Sequence, residues 1–182
     1  MFSRAIGLGV AAAAFTIAVA PVSATEFHVG DIPNFYLTSG TPTSPSITAN
    51  FGNGYDSAVN FDDSYLFTIP QNGTGSGSIS TSFSSAANML TITGLWINDV
   101  EFTVPSNGSG QYLAVSDIPI LSGVLNTIRV KGTTSSLGGT YSGTATFSAA
   151  AVPEAATWAM MLCGFGLMGA TMRRQRTSVT FA

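Results

Sequence analysis

The sequence predicts an all-β fold, a single antiparallel β-sandwich of the jelly-roll kind, and three observations lead to this expectation. Apolar residues in the central region recur at every second position, which is the period of a half-buried strand. Segments rich in Gly, Asn and Pro interrupt the alternation at short intervals, and these residues suit turns. No amphipathic helical period separates the alternating segments, as expected when two sheets pack face to face.

The N-terminus has the composition of a secretory signal peptide, which we assign to residues 1–24. Arg4 supplies a positive start and an apolar run follows over residues 5–20, ended by Pro21. Small residues precede position 25, so we expect export by the Sec machinery and cleavage by signal peptidase after Ala24. A retained N-terminal membrane helix is the alternative, but the run is short and Pro21 breaks it.

The exported body is predicted to be one domain over residues 25–151. Turns are expected at 70–77, 105–110 and 138–139, with a tight turn at 98–99. Residues 31–55 are expected to be an extended edge or loop that need not be ordered, and residues 148–151 a flexible spacer. The alternating apolar positions are Tyr65, Phe67, Ile69, Ile79, Phe83, Leu90, Ile92, Val100, Phe102, Val104, Ile128, Val130, Tyr141, Ala145 and Phe147.

The body is acidic and has little positive charge. It contains eight acidic side chains against Arg129 and Lys131, a net charge of minus six. Nucleic acid is therefore excluded as a partner, since phosphates require clustered Lys or Arg. The only cysteine, Cys163, lies outside the body, so a packed core and not a disulfide must stabilise it.

The body lacks the residues of a familiar catalytic or cofactor site, so we predict no enzyme, no cofactor and no metal. His28 is the sole histidine, and zinc sites need several His or Cys ligands. Glycoside hydrolysis would need two carboxylates, for which Asp63 and Glu101 across a sheet are the candidates. Trp96 can stack on a sugar ring, although we expect it to fill the core or a sheet end. Calcium binds oxygen ligands, but the carboxylates of the body are scattered and do not form an Asp-x-Asp-x-Asp-Gly loop. These carboxylates are Asp62, Asp63, Asp99, Glu101 and Asp117.

The C-terminal end has the pattern of a membrane stop. Residues 155–172 contain no charge, and as a helix these eighteen residues span roughly 27 Å, close to the about 30 Å of a bilayer core. Trp158 suits one membrane–water interface, and the opposite interface suits the arginines Arg173, Arg174 and Arg176. Because a positive end stays cytoplasmic, we predict a transmembrane helix with the body on the far side.

This C-terminal segment resembles the PEP-CTERM sorting signal, in the variant that opens with Trp-Ala-Met-Met. The family motif reads Pro-Glu-Pro, and this chain has Ala155 at the third position. The resemblance implies a sorting segment over 152–177 that an exosortase cuts near the Pro-Glu motif, in Gram-negative bacteria that make extracellular polysaccharide. An uncut C-terminal anchor is the alternative. The residues that carry the resemblance are Pro153, Glu154, Trp158, Gly164, Phe165, Gly166, Arg173, Arg174 and Arg176.

A second motif lies in the body. Phe61-x-Asp63-x-Tyr65 resembles the Phe-x-Asp-x-Phe signature of a family of PEP-CTERM proteins, with Tyr65 as the final aromatic residue. Alternation places the three side chains on one face, where a carboxylate is costly without partners. We expect Asp63 either to accept hydrogen bonds from turn amides at a strand entry or to serve a cation.

Two function classes follow. The first is a non-catalytic surface or extracellular-matrix protein, anchored transiently in the inner membrane, processed by exosortase and linked to exopolysaccharide. The second is a carbohydrate-binding or carbohydrate-active module that the same tail delivers. The absence of an acid/base set favours the first.

Overall fold

Two five-stranded sheets pack face to face in the computed structural model, which describes residues 22–151 and 155–174. The order in sheet 1 is β1-β4-β9-β6-β7, and the order in sheet 2 is β2-β3-β10-β5-β8. This arrangement of two packed sheets confirms the all-β sandwich that the sequence predicts. The elements are β1 (Val22–His28), β2 (Phe35–Ser39), β3 (Ser46–Tyr55), β4 (Asn60–Phe67), β5 (Gly73–Ser82), a 3-10 turn (Ala86–Asn88), β6 (Leu90–Ile97), β7 (Val100–Phe102), β8 (Gly110–Ile120), β9 (Asn126–Thr134), β10 (Gly139–Ala149) and the helix α1 (Ala155–Arg174).

One neighbouring pair departs from the antiparallel arrangement that we predicted. Strand β1 lies parallel to β4, with Val22 opposite Asn60 and His28 opposite Leu66. Parallel neighbours need a crossover connection. Here the chain leaves sheet 1 after β1, forms β2 and β3 in sheet 2, and returns as β4, which supplies that crossover.

The inner faces of the two sheets form the core, and the predicted period-two pattern accounts for much of it. Leu90, Ile128, Val130 and Tyr141 are buried. They pack with Tyr65 in one cluster that draws side chains from both sheets. Burial of alternate side chains on facing sheets is the main stabilising contribution in such a fold.

The predicted tight turn is confirmed at the hairpin between β6 and β7. Asn98 and Asp99 have φ values of 47° and 65°, and Ile97 pairs with Val100 across the turn. Two consecutive left-handed residues define the hairpin turn that matches the twist of the strands, and Asn and Asp tolerate this conformation best after glycine.

The prediction that residues 31–55 need not be ordered is wrong, because this segment forms two strands. β2 is the edge of sheet 2, and β3 lies between β2 and β10, where it buries Ile47, Ala49 and Phe51. The three prolines of the segment all lie in the connections outside these strands. They mark loop positions, where a missing N–H costs nothing, and not disorder.

The prediction of a turn at 70–77 is also wrong from Gly73 onward, because strand β5 begins at that residue. A side chain at Gly73 would overlap the Phe147 ring and the carbonyl of Ser148 in the neighbouring strand β10. Glycine is present here because two strands and a buried ring approach closely, which a local turn signal does not reveal.

The flexible spacer predicted at 148–151 is shorter than expected. β10 continues to Ala149, whose N–H donates to the Pro45 carbonyl over 2.8 Å, and the Ala150 N–H donates to the Asn72 carbonyl over 2.8 Å. Backbone pairing therefore holds the chain to Ala150, and two residues, 151 and 152, separate that point from the Pro153-Glu154 motif.

Helix α1 does not pack against the sandwich. All side chains described in it, from 157 to 173, are exposed, including Leu162 at 67 % and Phe165 at 65 %. Among the described residues, no helix combines the length and the apolar character that a membrane crossing requires.

Candidate functional site

A buried carboxylate joins the two sheets at the motif on β4. Asp63 is fully buried, and its Oδ2 accepts hydrogen bonds from the hydroxyls of Tyr141 (2.6 Å) and Tyr55 (2.7 Å) and from the Asn53 amide (3.0 Å). The Tyr65 hydroxyl lies 2.7 Å from that of Tyr141. Because Tyr141 donates its proton to Asp63, Tyr65 is the donor in the second bond. We call these five residues the Asp63 cluster.

Phe61 and Tyr65, the other two residues of the motif, pack against aromatic rings of sheet 2. Phe61 stacks on Tyr55 at 4.9 Å and on Tyr141 at 5.4 Å between ring centroids. Tyr65 contacts the ring of Phe51 at 5.2 Å. Phe61 and Tyr65 lie in sheet 1 and their partners lie in sheet 2, so the aromatic contacts of the motif join the two sheets.

The electrostatics of the cluster keep its tyrosines protonated. Burial, followed by the hydrogen bond to Asp63 and its charge, raises the pKa of Tyr55 far above its ordinary value. Burial and the neighbouring Tyr65 and Asp63 raise the pKa of Tyr141 in the same direction. Burial also raises the pKa of Tyr65. These hydroxyls therefore remain hydrogen-bond donors, and the cluster is suited to hold structure and not to transfer protons at neutral pH.

The hydrogen-bond partners of Asp63 differ from those predicted. They are side chains of β3 and β10 and not turn amides, and Asp63 lies in the middle of β4 and not at its entry. The partners are Tyr and Asn side chains, and none is a second carboxylate. Within 22–151 and the described part of α1, no group of three or more His, Cys, Asp or Glu side chains could hold a metal ion.

The carboxylate pair considered for glycoside hydrolysis is ruled out by the topology. Glu101 is exposed on β7, whereas Asp63 is buried on β4, and β9 and β6 lie between them. Three strand spacings amount to roughly 14 Å. The two carboxyl groups of a glycosidase lie within about 5–9.5 Å of one another, so this pair cannot act together.

The outer face of sheet 1 carries a second cluster, which we call the Trp96 patch: Asp62, Trp96, Arg129 and Lys131. Arg129 donates from Nε and Nη2 to both carboxylate oxygens of Asp62, over 2.7 Å and 2.6 Å. Lys131 Nζ lies 3.3 Å from Asp62 Oδ2. The Arg129 Cζ and Lys131 Nζ atoms lie 5.8 Å and 5.4 Å from the Trp96 ring centroid, within cation–π range.

Trp96 lies on this outer face and does not fill the core as we predicted. The register shift between Ile92 and Gly94 is the reason, because it turns Leu95 and Ile97 inward and Trp96 outward. The ring lies over Gly94, where a methyl group would overlap it. Glycine thus lets a half-buried indole lie flat against the sheet.

The charges of the Trp96 patch are fixed by its ion pairs. The hydrogen bond from Arg129, together with Lys131, lowers the pKa of Asp62, and Asp62 in turn raises the pKa of Arg129. Arg129 and Lys131 are the only basic residues of the acidic body, and both flank its only tryptophan. An aromatic surface edged by fixed donors and acceptors can contact a ligand that has both an apolar face and hydroxyl groups.

Comparison with other proteins adds no assignment. No family model, curated protein or solved structure matches this chain.

The remaining sites predicted from the sequence lie at the two ends of the chain. Ala24 lies within β1, and a chain cut after it keeps residues 25–28 of that strand, including Phe27, whose ring stacks on Tyr65 at 5.1 Å. Pro153, Glu154 and Arg176 lie outside the described residues. The others are in α1 and are Trp158, Gly164, Phe165, Gly166, Arg173 and Arg174.

Sequence reasoning missed Asn53, Tyr55 and Tyr141 as partners of Asp63. Tyr141 is 78 residues from Asp63 along the chain. The one available signal was the need of a buried carboxylate for donors, and it does not say which strands provide them.

Proposed function

We propose that this chain is an exported, non-catalytic surface or extracellular-matrix protein of a Gram-negative bacterium, sorted and cut by an exosortase at its PEP-CTERM-like tail. Transient anchoring in the inner membrane through that tail, and a link to exopolysaccharide, are parts of the proposal. Secretion through the Sec machinery and removal of residues 1–24 by signal peptidase come before the cut by exosortase.

The observation that carries this proposal is the separation of the sandwich from α1. Backbone pairing in the sandwich continues to Ala150, and every side chain described in α1 is exposed although many are large and apolar. Large apolar side chains exposed together in this number are typical of a segment that interacts with a partner or a membrane surface. None of the side chains described in this helix belongs to the sandwich core.

The sorting motif can be tested by changing its acidic residue. We expect Glu154→Ala to remain with the cells while the sandwich folds normally, because the processing enzyme would no longer recognise the motif. The measurement is the distribution of the protein between membrane fraction and medium. Glu101→Ala, an exposed acidic residue of the sandwich, is the control and should be released normally. Unchanged release of Glu154→Ala would refute the proposal.

A second candidate function, carbohydrate binding, is favoured by the Trp96 patch. Sugar rings combine an apolar face, which packs on an indole, with hydroxyls that bind charged side chains. Trp96→Ala should abolish saturable binding on a glycan array. Tyr112→Ala, which removes an exposed aromatic residue from the outer face of sheet 2, should not. Binding that persists in Trp96→Ala, or an array without any bound glycan, would dismiss this candidate.

A further inference from the structure

A cavity of about 270 Å³ lies between the two sheets. Its walls include Leu95 and Ile128 from sheet 1 and Ile79 and Phe147 from sheet 2. No member of the Asp63 cluster or of the Trp96 patch lines it, so it is a separate site. Its lining is overwhelmingly apolar, and the only ionisable side chain among the lining residues is His28.

The cavity has a specific cause in the sequence of sheet 2. Ala145 of β10 pairs with Ala49 of β3 on one side and with Gly77 of β5 on the other, and all three line the cavity. Three adjacent strands thus present little side-chain volume at the same level of the core, where larger aliphatic residues would fill the space. The core accordingly divides into two clusters, and the cavity is lined by members of both.

The cavity is accessible from solvent through an apolar rim. Val29 and Leu125 line it and are 41 % and 64 % exposed. Leu121 and Val124, in the same connection as Leu125, are 59 % and 46 % exposed. Apolar side chains that are exposed together at the mouth of an apolar cavity are typical of a ligand-binding site.

We propose that this cavity binds the alkyl chain of a fatty acid or lipid, with the polar headgroup at the rim beside His28. A cavity of about 150 Å³ accommodates benzene, so this one suits a larger apolar group. Scaled from benzene, whose six carbons fit the smaller cavity, it holds a chain of roughly ten carbons. The apolar walls offer no charged partner to a headgroup, which therefore stays at the mouth. This proposal is independent of the sorting and carbohydrate proposals.

The test is photo-crosslinking of the full chain in the presence of phospholipid vesicles. The first probe is decanoic acid with a diazirine at the end of its chain, and the second is a phospholipid whose acyl chain carries the same group. Peptide mass spectrometry locates the label. We expect it on cavity residues of β6 and β9, such as Leu95 and Ile128. Labelling by the free acid alone identifies a fatty acid as the ligand, and labelling by the phospholipid alone identifies a lipid.

A filled cavity provides the control. Ala145→Leu should lower labelling of the cavity residues by about tenfold or more, because the added carbons occupy the space of the ligand. Ala114→Leu makes the same change on the exposed face of β8 and should leave the labelling unchanged. If Ala145→Leu does not fold, Ala49→Leu replaces it. Label confined to α1 or the outer faces, or cavity label that survives the filling variant, would overturn the proposal.

Discussion

Asp63→Ala should lower the free energy of unfolding by about 3 kcal/mol or more, because each buried donor left without an acceptor costs about 1–3 kcal/mol. The carboxylate accepts bonds from Tyr55, Tyr141 and Asn53, and its removal leaves three donors without that acceptor inside the sandwich. The loss is a large fraction of the stability of a typical domain. Chemical denaturation, followed by the near-ultraviolet circular dichroism of tyrosine, measures it.

The adjacent residue provides a matched control for this variant. Asp62 has the same side chain but lies on the outer face of the same strand, where it pairs with Arg129 and Lys131; its side chain is 16 % exposed and that of Arg129 is 44 % exposed. An isolated exposed ion pair contributes about 0–1 kcal/mol and a bidentate pair within a network contributes more, but Asp62→Ala leaves no fully buried donor without an acceptor, so its effect should be clearly smaller than that of Asp63→Ala. Equal effects of the two substitutions would contradict the role assigned to the Asp63 cluster.

Alkaline pH should destabilise the sandwich steeply, starting near pH 10. The pKa values of Tyr55, Tyr65 and Tyr141 are raised in the folded protein, whereas unfolded tyrosines ionise near pH 10. Below about pH 10 both states hold these protons and stability is intact. Above it the unfolded chain releases protons that the folded chain retains, so stability falls as pH rises, at up to about 4 kcal/mol per pH unit for three phenols.

Removing one of these phenols should flatten the pH profile. Tyr141→Phe lowers stability at neutral pH because a hydrogen bond to Asp63 is lost, and it should also reduce the slope above pH 10 by about 1.4 kcal/mol per pH unit. Tyr112→Phe, which changes an exposed tyrosine on the outer face of sheet 2, should leave the slope unchanged. Denaturation curves between pH 7 and about pH 11.5 test both expectations. A wild-type profile that stays flat across this range would refute the account.

The fold class could be predicted because several strands bury alternate residues without interruption. Leu90, Ile128, Val130 and Tyr141 show the pattern clearly, and the core contains all four. Strand β3 escaped detection because the prolines at 33, 42 and 45, among Thr and Ser, favoured an edge or loop for the whole segment 31–55. A side chain at Gly52 would overlap the carbonyl of Tyr141 in β10, a tertiary constraint that the local sequence does not reveal.

The candidate sites were less predictable than the fold. Phe61, Asp63 and Tyr65 were correctly placed on one face of a strand, and the cost of burying Asp63 indicated that it needs partners. Its partners depend on which strands meet across the sandwich. The position of Trp96 depends on the register shift at Gly94, since one extra residue exchanges the inner and outer faces of β6.

The most direct test of the proposed sorting is the intact mass of the protein released into the medium. The separation of α1 from the sandwich and the motif at residues 153–154 predict a product that begins at Thr25 and ends close to Glu154, without the apolar helix. Chemical denaturation should show that the sandwich of this product retains the free energy of unfolding to which the Asp63 cluster contributes. Released protein that still ends at Ala182 would contradict the account.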